Sequence, residues 1–169
     1  MSPIVMLCNI YIFTLRLRSK FQMAIFSSKY PVTVDGKGRV VLPASYKKEL
    51  GDAVEPVFAI EKDLQNRCLN IYPRASWEEH SKELDGRIDR KDPIQRKFID
   101  RYYEEIHQVP MAENGRLNIP DEMLAYAGIT KDALFTGQGK KIRLWDPAIH
   151  KAWLLDDEAY KNMYSELIG

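Results

Sequence analysis

The sequence predicts an α+β protein built from one unit used twice. Three observations carry this: a self-copy at constant offset, strand-length apolar alternation ending in a glycine turn, and short helices bounded by proline and glycine. The stretch "VTVDGKGRVVLPASYKKELG", Val32 to Gly51, recurs as "VPMAENGRLNIPDEMLAYAG", Val109 to Gly128. The offset of 77 that relates Arg39 to Arg116 also relates Gly38 to Gly115, Pro43 to Pro120, Gly51 to Gly128 and Phe58 to Phe135. Pro73 and Pro147 differ by only 74, so three residues are lost between Phe135 and Pro147, as a shortened loop would require.

Taken in order, Val32 and Val34 flank Thr33 in a strand that runs into the hairpin signal Asp35-Gly36. "RVVLP" is a second strand, stopped by Pro43, which has no N–H to give a ladder and suits the first turn of a helix. Ala44 to Leu50 is a two-turn helix with Lys47 and Lys48 near its C-terminus and Gly51 in the position that favours a left-handed residue. "PVFAIEK" and "CLNIYP" form a strand pair around "DLQNR". The second copy repeats this order, ending in "ALFTG" and "KIRLWD" joined by "QGK".

Between the copies, "SWEEHSKEL" and "PIQRKFIDRYYEEI" are helical by composition, with Ser76 and Asp92 expected as N-caps. After Pro147 the chain is expected to continue as helix, with Trp153, Tyr160 and Met163 on an apolar stripe that packs. The expected organisation is an N-terminal extension (1–22), a first unit (24–75), a helical linker (76–104), a second unit (105–148) and a C-terminal helix (149–169). A unit of about 45 residues is near the size at which a lone core is marginal. Pairing or oligomerisation is therefore expected.

The first 22 residues contain an apolar run, Pro3 to Leu15, shorter than the roughly 20 residues a bilayer span requires, with cations following rather than preceding it. The expectation is an upstream start with Met23 as the working start, an extra strand or helix being the alternative. Cys8 and Cys68 lie 60 residues apart without a CxxC, which implies neither a disulfide framework nor a zinc site, and suits a reducing cytoplasm. Composition is 45% apolar and 29% charged with a formal net charge of +1, ordinary for a globular protein, and it leaves any DNA-contact field to be local.

The chemistry of "DGKGR" is specific enough to name. Gly36 and Gly38 let the backbone approach a partner closely, Asp35 can fix the Arg39 guanidinium, an oriented guanidinium can take a guanine edge with two hydrogen bonds, and Lys37 can meet a phosphate as a point charge. The same five residues also suit a plain hairpin with a solvated lysine. Enzyme chemistry lacks a convergent set: His80, His107 and His150 are isolated, and "GQGKK" at 137 to 141 lacks the spacing of a phosphate loop and sits between two strands. No cofactor, metal or small-molecule substrate is indicated.

Both copies resemble the MraZ family of bacterial transcriptional regulators, whose tandem SpoVT-AbrB units carry a D-x-x-x-R turn followed by a GR-apolar strand, a proline and a short helix. Here Asp35 and Arg39 fill that motif in "DGKGRVVLP", and Gly115, Arg116 and Pro120 in "ENGRLNIP", over about Ala24 to Lys151. The resemblance implies paired swapped-hairpin β-barrel units with short helices that assemble into a ring. It also implies binding to tandem promoter repeats ahead of the division and cell-wall gene cluster, chiefly as a repressor, with double-stranded promoter DNA and further copies of the chain as partners and a nucleoid-associated place in the cytoplasm. Lys37, Arg39 and Asp35, the last as orienting group, are then the principal DNA-contact residues. Ala112 stands where the second copy needs its aspartate and Asn114 where the first has Lys37, so Arg116 is a secondary contact. A ring-forming interaction protein with weak or lost DNA binding is the alternative. It is motivated by the near-neutral charge and the degraded second motif.

Overall fold

The computed structural model describes residues 23–51 and 56–169; the N-terminal extension 1–22 and Cys8 lie outside the described residues. Along the chain run β1 (Lys29–Thr33), β2 (Arg39–Val41), α1 (Ala44–Glu49), β3 (Val57–Asp63), β4 (Cys68–Pro73), α2 (Arg74–Arg87) and α3 (Pro93–Glu104). Then follow β5 (His107–Pro110), β6 (Arg116–Asn118), α4 (Asp121–Ala127), β7 (Asp132–Gln138), β8 (Lys141–Trp145), α5 (Pro147–Trp153) and α6 (Asp157–Leu167). The order strand, turn, strand, helix, strand, loop, strand is thus present in each copy.

The pairing of these strands interleaves the copies. One six-stranded antiparallel sheet has the order β1-β7-β8-β4-β3-β5, and β2 pairs with β6 in a separate two-stranded ribbon. The first strand of each copy therefore pairs with the third strand of the other: β1 lies on β7 and β5 on β3. The hairpins β3–β4 and β7–β8 meet through β4 and β8. The shortened connection is Gly139-Lys140, against four residues, 64–67, in the first copy.

Period-two alternation explains the core. Phe58, Ile60, Leu69, Ile71, Phe135, Ile142 and Leu144 point to one face of the sheet and are fully buried against Val40, Leu42, Leu117 and Ile119 from the ribbon segments. Tyr46 of α1 fills the space beside Phe26 and Tyr30, with ring centroids 5.3 and 5.0 Å away, and its hydroxyl donates to the Ser28 carbonyl at 2.8 Å. Burial, helped by Tyr30, pushes the Tyr46 hydroxyl up to about 12.

Pro43 and Pro120 stand at the N-caps of α1 and α4, and Gly51 and Gly128 end these helices at positive φ. Asp92 caps α3 by accepting from the Ile94 and Gln95 amides. Two expectations need correction. Ser76 is no cap: α2 begins at Arg74, directly after Pro73, and Ser76 is buried inside it with its Oγ unpartnered among the described residues. The segment after Pro147 breaks at Leu154, where Asp156 restarts it by accepting from the Ala159 amide; Tyr160 and Met163 are exposed instead of packed within the chain, while Trp153, half exposed, lays its ring against Trp145 at 5.1 Å.

Candidate nucleic-acid interface

The two glycine turns have one backbone design. In the first, the Asp35 amide donates to the Arg39 carbonyl at 3.0 Å and the Gly38 amide to the Asp35 carbonyl at 3.0 Å; in the second, Ala112 and Gly115 make the equivalent bonds at 2.9 and 2.8 Å. Gly38 and Gly115 both have positive φ, +74° and +77°. Each turn is clasped to the other copy, because the Ile119 amide donates to the Gly38 carbonyl and the Leu42 amide to the Gly115 carbonyl, both at 2.9 Å. A Cβ on Gly38 would fall 2.7 Å from the Ile119 carbonyl oxygen, so this approach needs glycine.

Asp35 adds something the turn does not need in order to close, since the second turn closes with alanine in its place. One carboxylate oxygen accepts from the amides of Lys37 and Arg39, at 2.9 and 3.0 Å, and the other takes Arg39 Nε at 2.7 Å. The backbone donors, Arg39 first and then Lys37, hold its pKa at about 2, with a further pull from the guanidinium and partial opposition from desolvation. Arg39 is thereby fixed through Nε, while its two terminal nitrogens have no partner among the described residues. Lys37 is exposed at the tip.

The second turn substitutes its parts. Asn114 Oδ1 accepts from the Arg116 amide at 3.2 Å, replacing one of the bonds that Asp35 makes, and Arg116 has no ion-pair partner among the described residues. A lysine also returns by another route: a Cβ on Gly115 would lie 2.9 Å from Lys47 Nζ, so the Lys47 side chain of α1 lies against this turn. At the equivalent place over Gly38 stands Leu124. Lys47 was legible only by applying the offset of 77, which pairs it with Leu124 and so exposes a cation where the other copy has a core residue.

The ribbon brings both turns to one surface. Arg39 pairs with Asn118, Val40 with Leu117 and Val41 with Arg116. Opposed residues share a face, so Val40 and Leu117 point into the core, while Arg39, Val41, Arg116 and Asn118 lie together on the outer face, where Val41 is 47% exposed. The histidines are accounted for by packing. His80 stacks on Tyr72 at 4.9 Å, His107 Nε2 meets Glu122 Oε1 at 2.6 Å, and His150 is buried beside Trp145. Among the described residues no group of three potential metal ligands converges, and no helix is long and apolar enough to cross a membrane.

Comparison with known proteins bears on this surface. A family profile described as "MraZ protein, putative antitoxin-like" matches residues 25–100 and 103–163. Proteins named transcriptional regulator MraZ are similar over most of their length. One from Shewanella denitrificans is 33% identical over 129 residues, covering 76% of this chain and 82% of its own. One from Bacteroides thetaiotaomicron is 32% identical over 123 residues, covering 73% and 79%, and one from Cytophaga hutchinsonii is 29% identical over 137 residues, covering 81% and 89%.

Proposed function

The chain belongs to the MraZ family, and on that footing we propose that it is a sequence-specific DNA-binding transcriptional regulator that reads promoter DNA with the β2–β6 ribbon. The observation that carries this reading is the placing of Arg39 and Arg116 on one exposed face. Asp35 balances the Arg39 charge but leaves its terminal nitrogens as outward donors beside Arg116, itself unpaired among the described residues, and the major groove of DNA admits a two-stranded ribbon. Arg39, braced by Asp35, takes a guanine edge through its free terminal nitrogens; Lys37 and Lys47 meet phosphates beside the two turns; Arg116 is the secondary base contact.

The finer reading follows the family resemblance. The units 24–75 and 105–148 are SpoVT-AbrB-type halves that pair within one chain as swapped-hairpin barrels, a reading supported by the interleaved pairing of β1 with β7 and β5 with β3. The segments 76–104 and 149–169 are the helices around them. Several chains form a ring that engages tandem promoter repeats ahead of the division and cell-wall gene cluster and represses it, within the nucleoid. A formal charge of only +1 is compatible with this because several modest sites on one ring add avidity without new contacts. Footprinting of DNA upstream of the protein's own gene, with solution mass measured in parallel, tests the reading. Regularly spaced protected boxes and a mass of several chains are expected; uniform cleavage at saturating protein overturns it.

A further inference from the structure

The ribbon that carries the two arginines has two further outward side chains. The offset of 77 relates Arg39 to Arg116 and Val41 to Asn118, so the four outer positions of β2 and β6 form two equivalent pairs about the centre of the ribbon. One pair is matched and the other is not. Arginine stands at both ends of the first diagonal, whereas the second has valine in one copy and asparagine in the other.

The core accounts for neither Val41 nor Asn118. Val41 is 47% exposed, although Val40 and Leu42 on either side of it are fully buried. Asparagine is depleted in strands, where its amide competes with the ladder for backbone groups, yet Asn118 lies exposed in β6 and its side chain makes no hydrogen bond among the described residues. The cross-copy bonds from the Ile119 amide to the Gly38 carbonyl and from the Leu42 amide to the Gly115 carbonyl lie one residue outside the pairs Arg39–Asn118 and Val41–Arg116. Antiparallel ladders alternate, so these two are the non-hydrogen-bonded pairs, whose side chains stand closest. Each arginine therefore has one neutral side chain immediately across from it: Arg39 has Asn118, and Arg116 has Val41.

We infer that Asn118 and Val41 are specificity-determining residues of this surface: Asn118 takes the N7 and N6 edge of an adenine beside the guanine held by Arg39, and Val41 packs on the methyl group of a thymine beside the base met by Arg116. A carboxamide matches the paired acceptor and donor of adenine as a guanidinium matches the two acceptors of guanine, and an apolar side chain is the partner for a thymine methyl. The arginines carry the same code in both directions along the ribbon. Valine and asparagine do not, so a chain binds its box in one direction and the box is not a palindrome. This inference rests on the DNA-reading surface proposed above and adds the bases and the direction that it selects.

Selection from a pool of randomised duplexes, followed by anisotropy titration on the selected duplex with single-atom changes, tests it. Both positions are exposed, and circular dichroism checks that Asn118→Ala and Val41→Asn fold as wild type does. Wild type is expected to select a non-palindromic box with an adenine and a thymine next to guanines. Replacing that adenine by 7-deazaadenine is expected to cost wild type about tenfold in affinity and to cost Asn118→Ala nothing further. Replacing the thymine by uracil, which lacks only the methyl group, is expected to cost wild type a few-fold and Val41→Asn nothing. Val41→Asn, which gives both copies asparagine, is expected to select a box symmetric at these positions. A selected box without these bases, or equal losses in wild type and variant, overturns the assigned contacts while leaving the arginine surface in place. A wild type that selects no box removes the proposed function, and this inference with it.

Discussion

Arg39 and Arg116 are diagonal neighbours across one two-stranded ribbon, the first opposite Asn118 and the second opposite Val41, on the face turned away from the core. Such neighbours lie roughly 7–8 Å apart, close enough to address adjacent base pairs. Only Arg39 is oriented by a carboxylate, so Arg116→Ala is expected to cost less affinity for a specific site than Arg39→Ala. Anisotropy titrations of both variants check this order, and a larger loss for Arg116→Ala reverses the ranking.

Lys37 has no such brace and sits exposed at the tip of its turn. Lys37→Ala is therefore expected to weaken binding to specific and unrelated DNA by a similar factor and to lower the salt slope by about one, since each phosphate neutralised releases about one counterion. Titrations at a series of salt concentrations measure the slope.

Lys47 tests whether the second turn shares in the work. Its side chain lies against Gly115, where it supplies a cation that Asn114 does not. Lys47→Ala is expected to lower the salt slope as Lys37→Ala does, with thermal stability within a few degrees of wild type. An unchanged slope assigns Lys47 to packing alone.

The Asp35 brace makes a prediction about pH. Its carboxyl is held at about 2 in the folded protein against an ordinary 3.8, so the folded state favours the ionised form. The stabilisation is present above about pH 4 and is lost as pH falls from there through 2. DNA affinity is thus expected to show no Asp35 titration between pH 5 and 8. A carbon-detected NMR titration is expected to place the Asp35 midpoint near 2, and Arg39→Ala to move it upward only in part, because the backbone donors remain.

Gly38 holds the crossing between the copies. Its φ is +74°, and an added methyl group would stand 2.7 Å from the Ile119 carbonyl oxygen, so Gly38→Ala combines a left-handed backbone with a clash against main chain that cannot swing away. A loss of about 2 kcal/mol or more in urea unfolding is expected. At Gly115 the clash is with the flexible Lys47 side chain, so Gly115→Ala is expected to cost less.

Much of the fold was legible in the sequence because the duplication supplied an internal control. The proline and glycine positions marked the helix ends, and the offset of 77 aligned both turns residue for residue. Local pattern could not show that β1 leaves its own copy for β7, since the alternation of Val32 and Val34 is satisfied by any strand partner with an apolar face. Nor could it show that Ala112 is harmless to the turn, where backbone bonds alone suffice. Ser76 misled because a serine beside a helical run has the chemistry of a cap, while Pro73 begins the helix earlier. The sequence reading joined Trp153, Tyr160 and Met163 in one stripe, whereas the break at Leu154 puts them on two helices, and the exposure of Tyr160 and Met163 is a tertiary fact.

The central claim is that the first turn reads DNA through an oriented Arg39. The most direct measurement is an anisotropy titration of wild type and Arg39→Ala on DNA upstream of the protein's own gene, against a scrambled competitor, with mass checked by light scattering. Loss of tenfold or more in specific affinity, with unchanged mass and unchanged affinity for the scrambled sequence within a few-fold, is the result predicted. Wild-type affinity for the upstream site in Arg39→Ala would contradict the account.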